Sequence, residues 1–113
     1  MFYHFSQNNS GGKFHFDSFK GITHHVIIEG DDAKEIIYRA DRIGLFTDGP
    51  GDCPCCGERW STPWSDEALD ETPLIYDTTP TDYVAEAKYS WRKSFPEGKD
   101  VAVHYKDGTI KWY

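Results

Sequence analysis

Three cysteines fall within four positions, in the run Asp52-Cys53-Pro54-Cys55-Cys56-Gly57-Glu58-Arg59-Trp60, and five histidines (His4, His15, His24, His25 and His104) are spread along the rest of the chain. Thiolates and neutral imidazoles are the ligands that zinc prefers, and a structural zinc site takes roughly four of them. The run contains the spacing C-P-x-C-G, in which Cys53 and Cys56 are the expected ligand pair, with Cys55 as a spare or substitute ligand. No second cysteine pair exists, so histidine must complete the set. His24 is the first choice, and His104, beside Lys106 and Lys111, is the last. The competing reading is three reduced thiols in a tight turn. A disulfide framework does not fit an odd number of cysteines of which two are adjacent, and no helix begins at the run to depress a thiol pKa for redox work.

Two other features carry binding chemistry. The loop Gln7-Asn8-Asn9-Ser10-Gly11-Gly12 offers backbone N–H groups and amides to a phosphate or a nucleotide edge, although it lacks the lysine and the following helix of a phosphate-cradling loop. Arg59 and Trp60, with Trp64 close behind, supply a cation and aromatic faces for stacking on a base or anchoring a protein. The plain alternatives are a polar turn and core tryptophans. Catalysis has little support: no serine sits in a nucleophile elbow, and no cysteine and histidine share a protease-like context.

The elements that must position these residues can be read from periodicity. Met1 to Phe5 and Lys13 to Asp17 alternate aromatic and polar residues on either side of the Asn-Ser-Gly loop, which predicts an N-terminal hairpin. A strand over 22–29 places His24 with Ile22, Val26 and Ile28 on the apolar face and His25 on the opposite one. Over 32–43, Ala33, Ile36, Ile37, Ala40 and Ile43 recur at helical spacing, with Asp31 or Asp32 as N-cap and Gly44 as the stop. Ser61 to Ala87 holds seven acids and three prolines but no Lys or Arg, and reads as a long irregular surface excursion. Tyr83 to Trp91 reads as a strand or a short helix, with the strand preferred. Val101–Tyr105 and Thr109–Tyr113 flank Asp107-Gly108, which predicts a tight hairpin pairing Tyr105 with Ile110 and Val103 with Trp112.

With 12 Lys+Arg against 19 Asp+Glu, the net charge of the 113 residues is −7. Seven acids without a counter-charge equal that whole excess, leaving the remainder neutral. A DNA binder working by counterion release needs a clustered basic face, so nucleic acid enters only through mimicry by the acidic stretch. No apolar run approaches the ~18 residues of a membrane span, and no basic region followed by a hydrophobic stretch opens the chain. The expectation is a soluble, unsecreted protein without membrane contact, compatible with homo-oligomerisation.

The run Cys53-Pro54-Cys55-Cys56-Gly57 resembles half of a zinc-ribbon knuckle. More broadly, MFYHFSQNNSGG at the start, GITHHVIIEG at 21–30, Ile43-Gly44-Leu45-Phe46, DCPCCGERW at 52–60 and the closing VAVHYKDGTIKWY resemble a group of small uncharacterised proteins of tailed bacteriophages. This resemblance spans most of the chain except 61–96. It implies an accessory protein acting in the host cytoplasm, where such proteins commonly bind host or defence components and some sequester immune nucleotide signals.

The sequence therefore leads to one α+β domain over 1–113, with a mostly antiparallel sheet, one amphipathic helix on one face and a long irregular acidic excursion. The function expected is non-catalytic binding of a host protein that counteracts a host process such as antiviral defence. The alternatives are a sponge holding an immune nucleotide at Asn8, Asn9, Ser10, Arg59 and Trp60, and a small metal- or thiol-dependent enzyme. Zinc, on Cys53, Cys56, Cys55 and His24, is the expected cofactor.

Overall fold

The computed structural model describes residues 1–6, 19–45, 63, 65–86 and 101–113. Strand β1 (Phe2–Ser6) is followed by β2 (His25–Glu29), helix α1 (Ala33–Arg42), a short 3-10 turn (Asp66–Ala68), helix α2 (Pro80–Glu86), and strands β3 (Val101–His104) and β4 (Ile110–Trp112). The four strands form one sheet in the order β1-β2-β3-β4. The α+β class is as expected. The sheet is mixed, however, because β2 and β3 run parallel while the outer pairs are antiparallel. A parallel pair needs a long crossover, and the chain between β2 and β3 supplies it.

That topology corrects the expected face assignment. The central strands β2 and β3 are buried along both faces, and their uninterrupted apolar runs Val26-Ile27-Ile28 and Val101-Ala102-Val103 are what two-sided burial requires. On one face, Phe5, Val26 and Ile28 pack with Ile36 and Ala40 of α1 and with Ile22, Leu45 and Leu69. On the other, Phe2, Ile27, Val101 and Val103 pack with Ile75, and Tyr83 and Val84 of α2 close over them. From Ile75 through α2 the acidic segment is thus the third layer of the fold, while Leu69 near its start packs on the α1 face. The segment passes the Phe2 end of β1, where the Phe2 and Asp70 backbones exchange hydrogen bonds of 2.7 and 2.8 Å, so the backbone groups of the strand's first residue are paired on that side.

Helix α1 forms where the periodicity places it. Asp32, in an extended conformation, accepts the Glu35 N–H at 2.8 Å, and Glu35 Oε2 accepts the Asp31 N–H at 3.2 Å. The end is a Schellman motif, with Leu45 N–H on the Ala40 carbonyl and Gly44 N–H on the Asp41 carbonyl. Ala33, Ile36 and Ala40 are buried as the stripe predicts.

Two local expectations are corrected. The C-terminal hairpin pairs Ala102 with Trp112, Val103 with Lys111 and His104 with Ile110, one residue out of the expected register. The loop has three residues, 106–108, closed by Tyr105 N–H on the Thr109 carbonyl, and Gly108 at φ +91° makes the left-handed step that such a loop demands. Since side chains alternate, the one-residue difference exchanges the faces of β4. Next, residues 80–86 form a helix rather than a strand. Pro80 starts it, the Thr79 hydroxyl accepts from the Asp82 N–H, and the Thr79 carbonyl accepts from the Tyr83 N–H. Strand β1 pairs with β2, with Phe2 opposite Glu29 and Ser6 opposite His25, a pairing that does not bear on the expected hairpin with 13–17. Residues 13–17 lie outside the described residues. Among the described residues no helix is long and apolar enough to cross a membrane.

Candidate functional site

β1 and β2 lie in register with His4 opposite Ile27 and Ser6 opposite His25, so His4 and His25 project from the same face two positions apart along the pair. His4 Nε2 lies 2.7 Å from His25 Nδ1, and His25 Nε2 lies 2.9 Å from the Tyr83 hydroxyl on α2. A neutral imidazole has one N–H. Hence either His25 donates to His4 and accepts from Tyr83, or it accepts from His4 and donates to Tyr83. Interconverting the two requires His4 to release its Nδ1 proton and the Tyr83 oxygen to regain one, because a shift along the chain alone would leave an imidazolium at His4 and a phenolate at Tyr83. His24 brings a third ring 4.2 Å from that of His25, and Tyr76 sets its edge against His4 at 5.1 Å.

All three imidazoles are held neutral. Burial pushes the His4 pKa down to about 4, helped by the nearby His24, and burial alone takes His24 to about 4. His25 falls furthest, to about 2, through burial and then repulsion from His24 and His4. The cluster acts as a neutral clamp in which two residues of the acidic layer, Tyr76 and Tyr83, are fastened to two residues of the sheet. A proton placed on any one ring would be buried without a carboxylate among these contacts to balance it.

The clamp corrects the expected histidine roles. His25 is buried and His24 only half-buried, because His24 precedes the regular strand and the face expected to meet solvent is covered by the acidic layer. The two rings also come together, which an ideal strand would forbid. His104 is buried, and its Nε2–H donates to the Gly21 carbonyl at 2.7 Å. Gly21, at φ +74°, comes so close that a Cβ there would lie 2.5 Å from His104 Cε1. Among the described residues, no three or more His, Cys, Asp or Glu are arranged to hold a metal ion. Cys53, Cys55 and Cys56, and the proposed ligand-binding residues Asn8, Asn9, Ser10, Arg59 and Trp60, lie outside the described residues.

Outside the clamp the acidic segment presents charge. Asp66, Glu67, Glu71, Asp77 and Asp82 are exposed, with no Lys or Arg between Ser65 and Glu86, while Leu69 and Ile75 turn inward. Burial and the neighbouring Asp77 raise the Asp70 pKa, which places the half-buried Asp70 within repulsive range of Asp77. Tyr76 and Asp77 both have left-handed backbone, φ +49° and +66°, in the turn closed by the hydrogen bonds between Ile75 and Thr78. This turn leaves Tyr76 69% exposed even as its edge meets His4. Asp66 has a second duty, since its Oδ1 accepts the Ala33 N–H at the start of α1 at 2.8 Å. The sequence identified the acids but not the clamp; its only trace was the placement of histidine at 4 and 24–25 and tyrosine at 76 and 83.

The chain matches a family profile, Domain of unknown function (DUF7296), over residues 1–113, and it belongs to that family. No curated protein matches it, and no solved structure does.

Proposed function

We propose that this member of the family is a phage-encoded, non-catalytic binding protein of the host cytoplasm that counteracts a host process, antiviral defence in particular, by docking on a host protein. The observation that carries this reading is the exposed acidic segment from Asp66 to Asp82. Five exposed carboxylates and a 69%-exposed tyrosine share one segment that has no basic residue and is fastened to the sheet through its buried side. Such a surface steers association with a basic partner and offers an aromatic anchor at its tip. Because the segment is pre-ordered by its packing and by the histidine clamp, little ordering cost attends binding.

A photo-crosslinking amino acid at position 76, produced in infected cells, should capture one host protein, whereas the same group at position 38 on α1, where Tyr38 is also exposed, should not. Capture from position 38 alone contradicts the assignment. Inhibition of the target should saturate at a fixed ratio of the two proteins, and turnover of a ligand by substoichiometric protein would favour the enzyme reading. Zinc on Cys53 and Cys56, with Cys55 and His24 as further ligands, is part of the proposal and rests on the C-P-x-C-G spacing.

A further inference from the structure

Strand β4 is the last in the sheet, at the edge away from β1. Val101 and Tyr113 exchange backbone hydrogen bonds of 3.2 and 2.9 Å, and the Tyr105 N–H meets the Thr109 carbonyl at 2.8 Å. Bonded positions alternate in an antiparallel ladder, so Lys111, opposite Val103, also turns its backbone groups to β3. Ile110 and Trp112 therefore turn their N–H and C=O groups outward. Among the described residues, nothing bonds to these four groups. At the β1 edge, by contrast, the outward groups of Phe2 are taken by Asp70.

The side chains along this edge carry a pattern of their own. Ile110 and Trp112 lie opposite His104 and Ala102, on the α1 side of the sheet, and Lys111 lies opposite Val103, on the other side. Ile110 is 36% exposed, Lys111 is exposed and Trp112 is half-buried. The Lys111 ammonium rests 5.2 Å from the centroid of the Tyr113 ring, a contact that holds the cation at the edge without neutralising it. In an added antiparallel strand, the residue facing Lys111 occupies a non-hydrogen-bonded pair with Cα atoms about 4.5 Å apart, where an opposite charge stabilises and a like charge destabilises. A second β4 laid here so that both outward residues pair would set Lys111 against Lys111 of that copy. Lysine on an edge strand disfavours such self-pairing. An acid in the same place is favoured, and apolar residues on either side of it meet Ile110 and Trp112.

We propose that the β4 edge accepts an extended segment of another protein as an added antiparallel strand, with an acidic residue opposite Lys111 and apolar residues opposite Ile110 and Trp112. Backbone hydrogen bonds to Ile110 and Trp112 supply the affinity, and the alternating side chains supply the selectivity. The edge is short, so the contact is weak when made alone. It is separate from the acidic segment, and neither site depends on the other.

Nuclear magnetic resonance of the full chain, labelled with nitrogen-15 and titrated with the blocked peptide Thr-Val-Glu-Val-Thr at millimolar concentration, tests this. The amide signals of Ile110 and Trp112 should move most, because they gain acceptors, while that of Lys111 keeps its bond to β3 and moves less. The peptide with lysine in place of glutamate should bind about fivefold more weakly, and Lys111→Glu, an exposed position, should reverse that preference. Methylating both valine nitrogens should abolish binding. No movement of the two signals, equal binding of the glutamate and lysine peptides, or a preference unchanged in Lys111→Glu would each overturn the proposal. So would Ile110 and Trp112 amides already protected from exchange in the free protein, since the edge would then be covered by the chain itself, or, where protection grows with protein concentration, by a second copy.

Discussion

Acid should loosen the protein through its histidines before most carboxylates titrate. In the unfolded chain each imidazole takes a proton near pH 6.5, whereas burial holds His4 neutral down to about pH 4 in the folded protein. A lowered pKa in the folded state means that the unfolded state binds more protons between those values, so stability is unaffected above pH 6.5 and falls as pH drops toward 4. For His4 alone, the difference of 2.5 pKa units at 1.36 kcal/mol each amounts to about 3 kcal/mol. His25, at about 2, acts in the same direction and continues below pH 4, and His104, lowered chiefly by burial, adds to the trend. The rings repel one another when charged, so their contributions do not simply add. Against a total stability of about 5–15 kcal/mol this is a large fraction. Urea unfolding followed by far-UV circular dichroism at pH 7, 6, 5 and 4.5 should show the free energy of unfolding falling below pH 6.5, with a slope above about 1.4 kcal/mol per pH unit near pH 5. His4→Gln, which keeps a polar group toward His25 but cannot titrate, should reduce that slope by up to about 1.4 kcal/mol per pH unit. A wild-type stability that is flat from pH 7 to 5, or a slope unchanged in the variant, would refute the clamp.

Further outcomes follow from single contacts. Gly21→Ala should cost about 2 kcal/mol or more, because it combines a left-handed φ with a clash against His104, whereas Gly108→Ala, equally left-handed but facing open space, should cost about 1 kcal/mol; equal melting temperatures for the two would contradict the close approach. Asp66→Ala should lose about 1 kcal/mol through the α1 N-terminus, while Glu67→Gln should be near neutral, as thermal melts will show. Purified protein should contain close to one zinc per chain, and Cys53→Ser should lose both the metal and thermal stability; metal-free protein with an unchanged melting temperature would remove zinc from the account.

Local signals in the sequence were sufficient for α1, because its stripe, its Asp32 cap and Gly44 all lie within fourteen consecutive residues. They were also sufficient to place a turn at Lys106-Asp107-Gly108, but not its length. Asp-Gly reads as a two-residue turn, and only the closure of Tyr105 on Thr109 shows that Gly108 supplies the left-handed residue of a three-residue loop. The helix at 80–86 had a legible start in Thr79-Pro80-Thr81-Asp82, overshadowed by the β-favouring Tyr83 and Val84. Two-sided burial was written in Val26-Ile27-Ile28 and Val101-Ala102-Val103, whose unbroken apolar character an alternating reading discounts. What covers the second side was not local at all. Tyr83 is 58 residues from His25, and His4 is 21 residues from it, so the clamp exists only once the acidic segment has passed the Phe2 end of β1. The loop at 8–10 and the Cys53–Trp60 run fall outside the described residues, and their proposed roles rest on the sequence.

The claim that the acidic segment is the binding surface is tested most directly by the affinity of the captured host protein for Glu67→Gln/Glu71→Gln/Asp77→Asn/Asp82→Asn, a variant that leaves the structural Asp66 in place. These four carboxylates are exposed, so the folded structure should tolerate the change, and a melting curve checks that it does. The account predicts that wild-type affinity weakens as salt rises above physiological strength, where screening extends within about 8 Å, and that the variant binds at least tenfold more weakly, with little remaining salt dependence. Equal affinities for the two proteins, with the same dependence on salt, would contradict it.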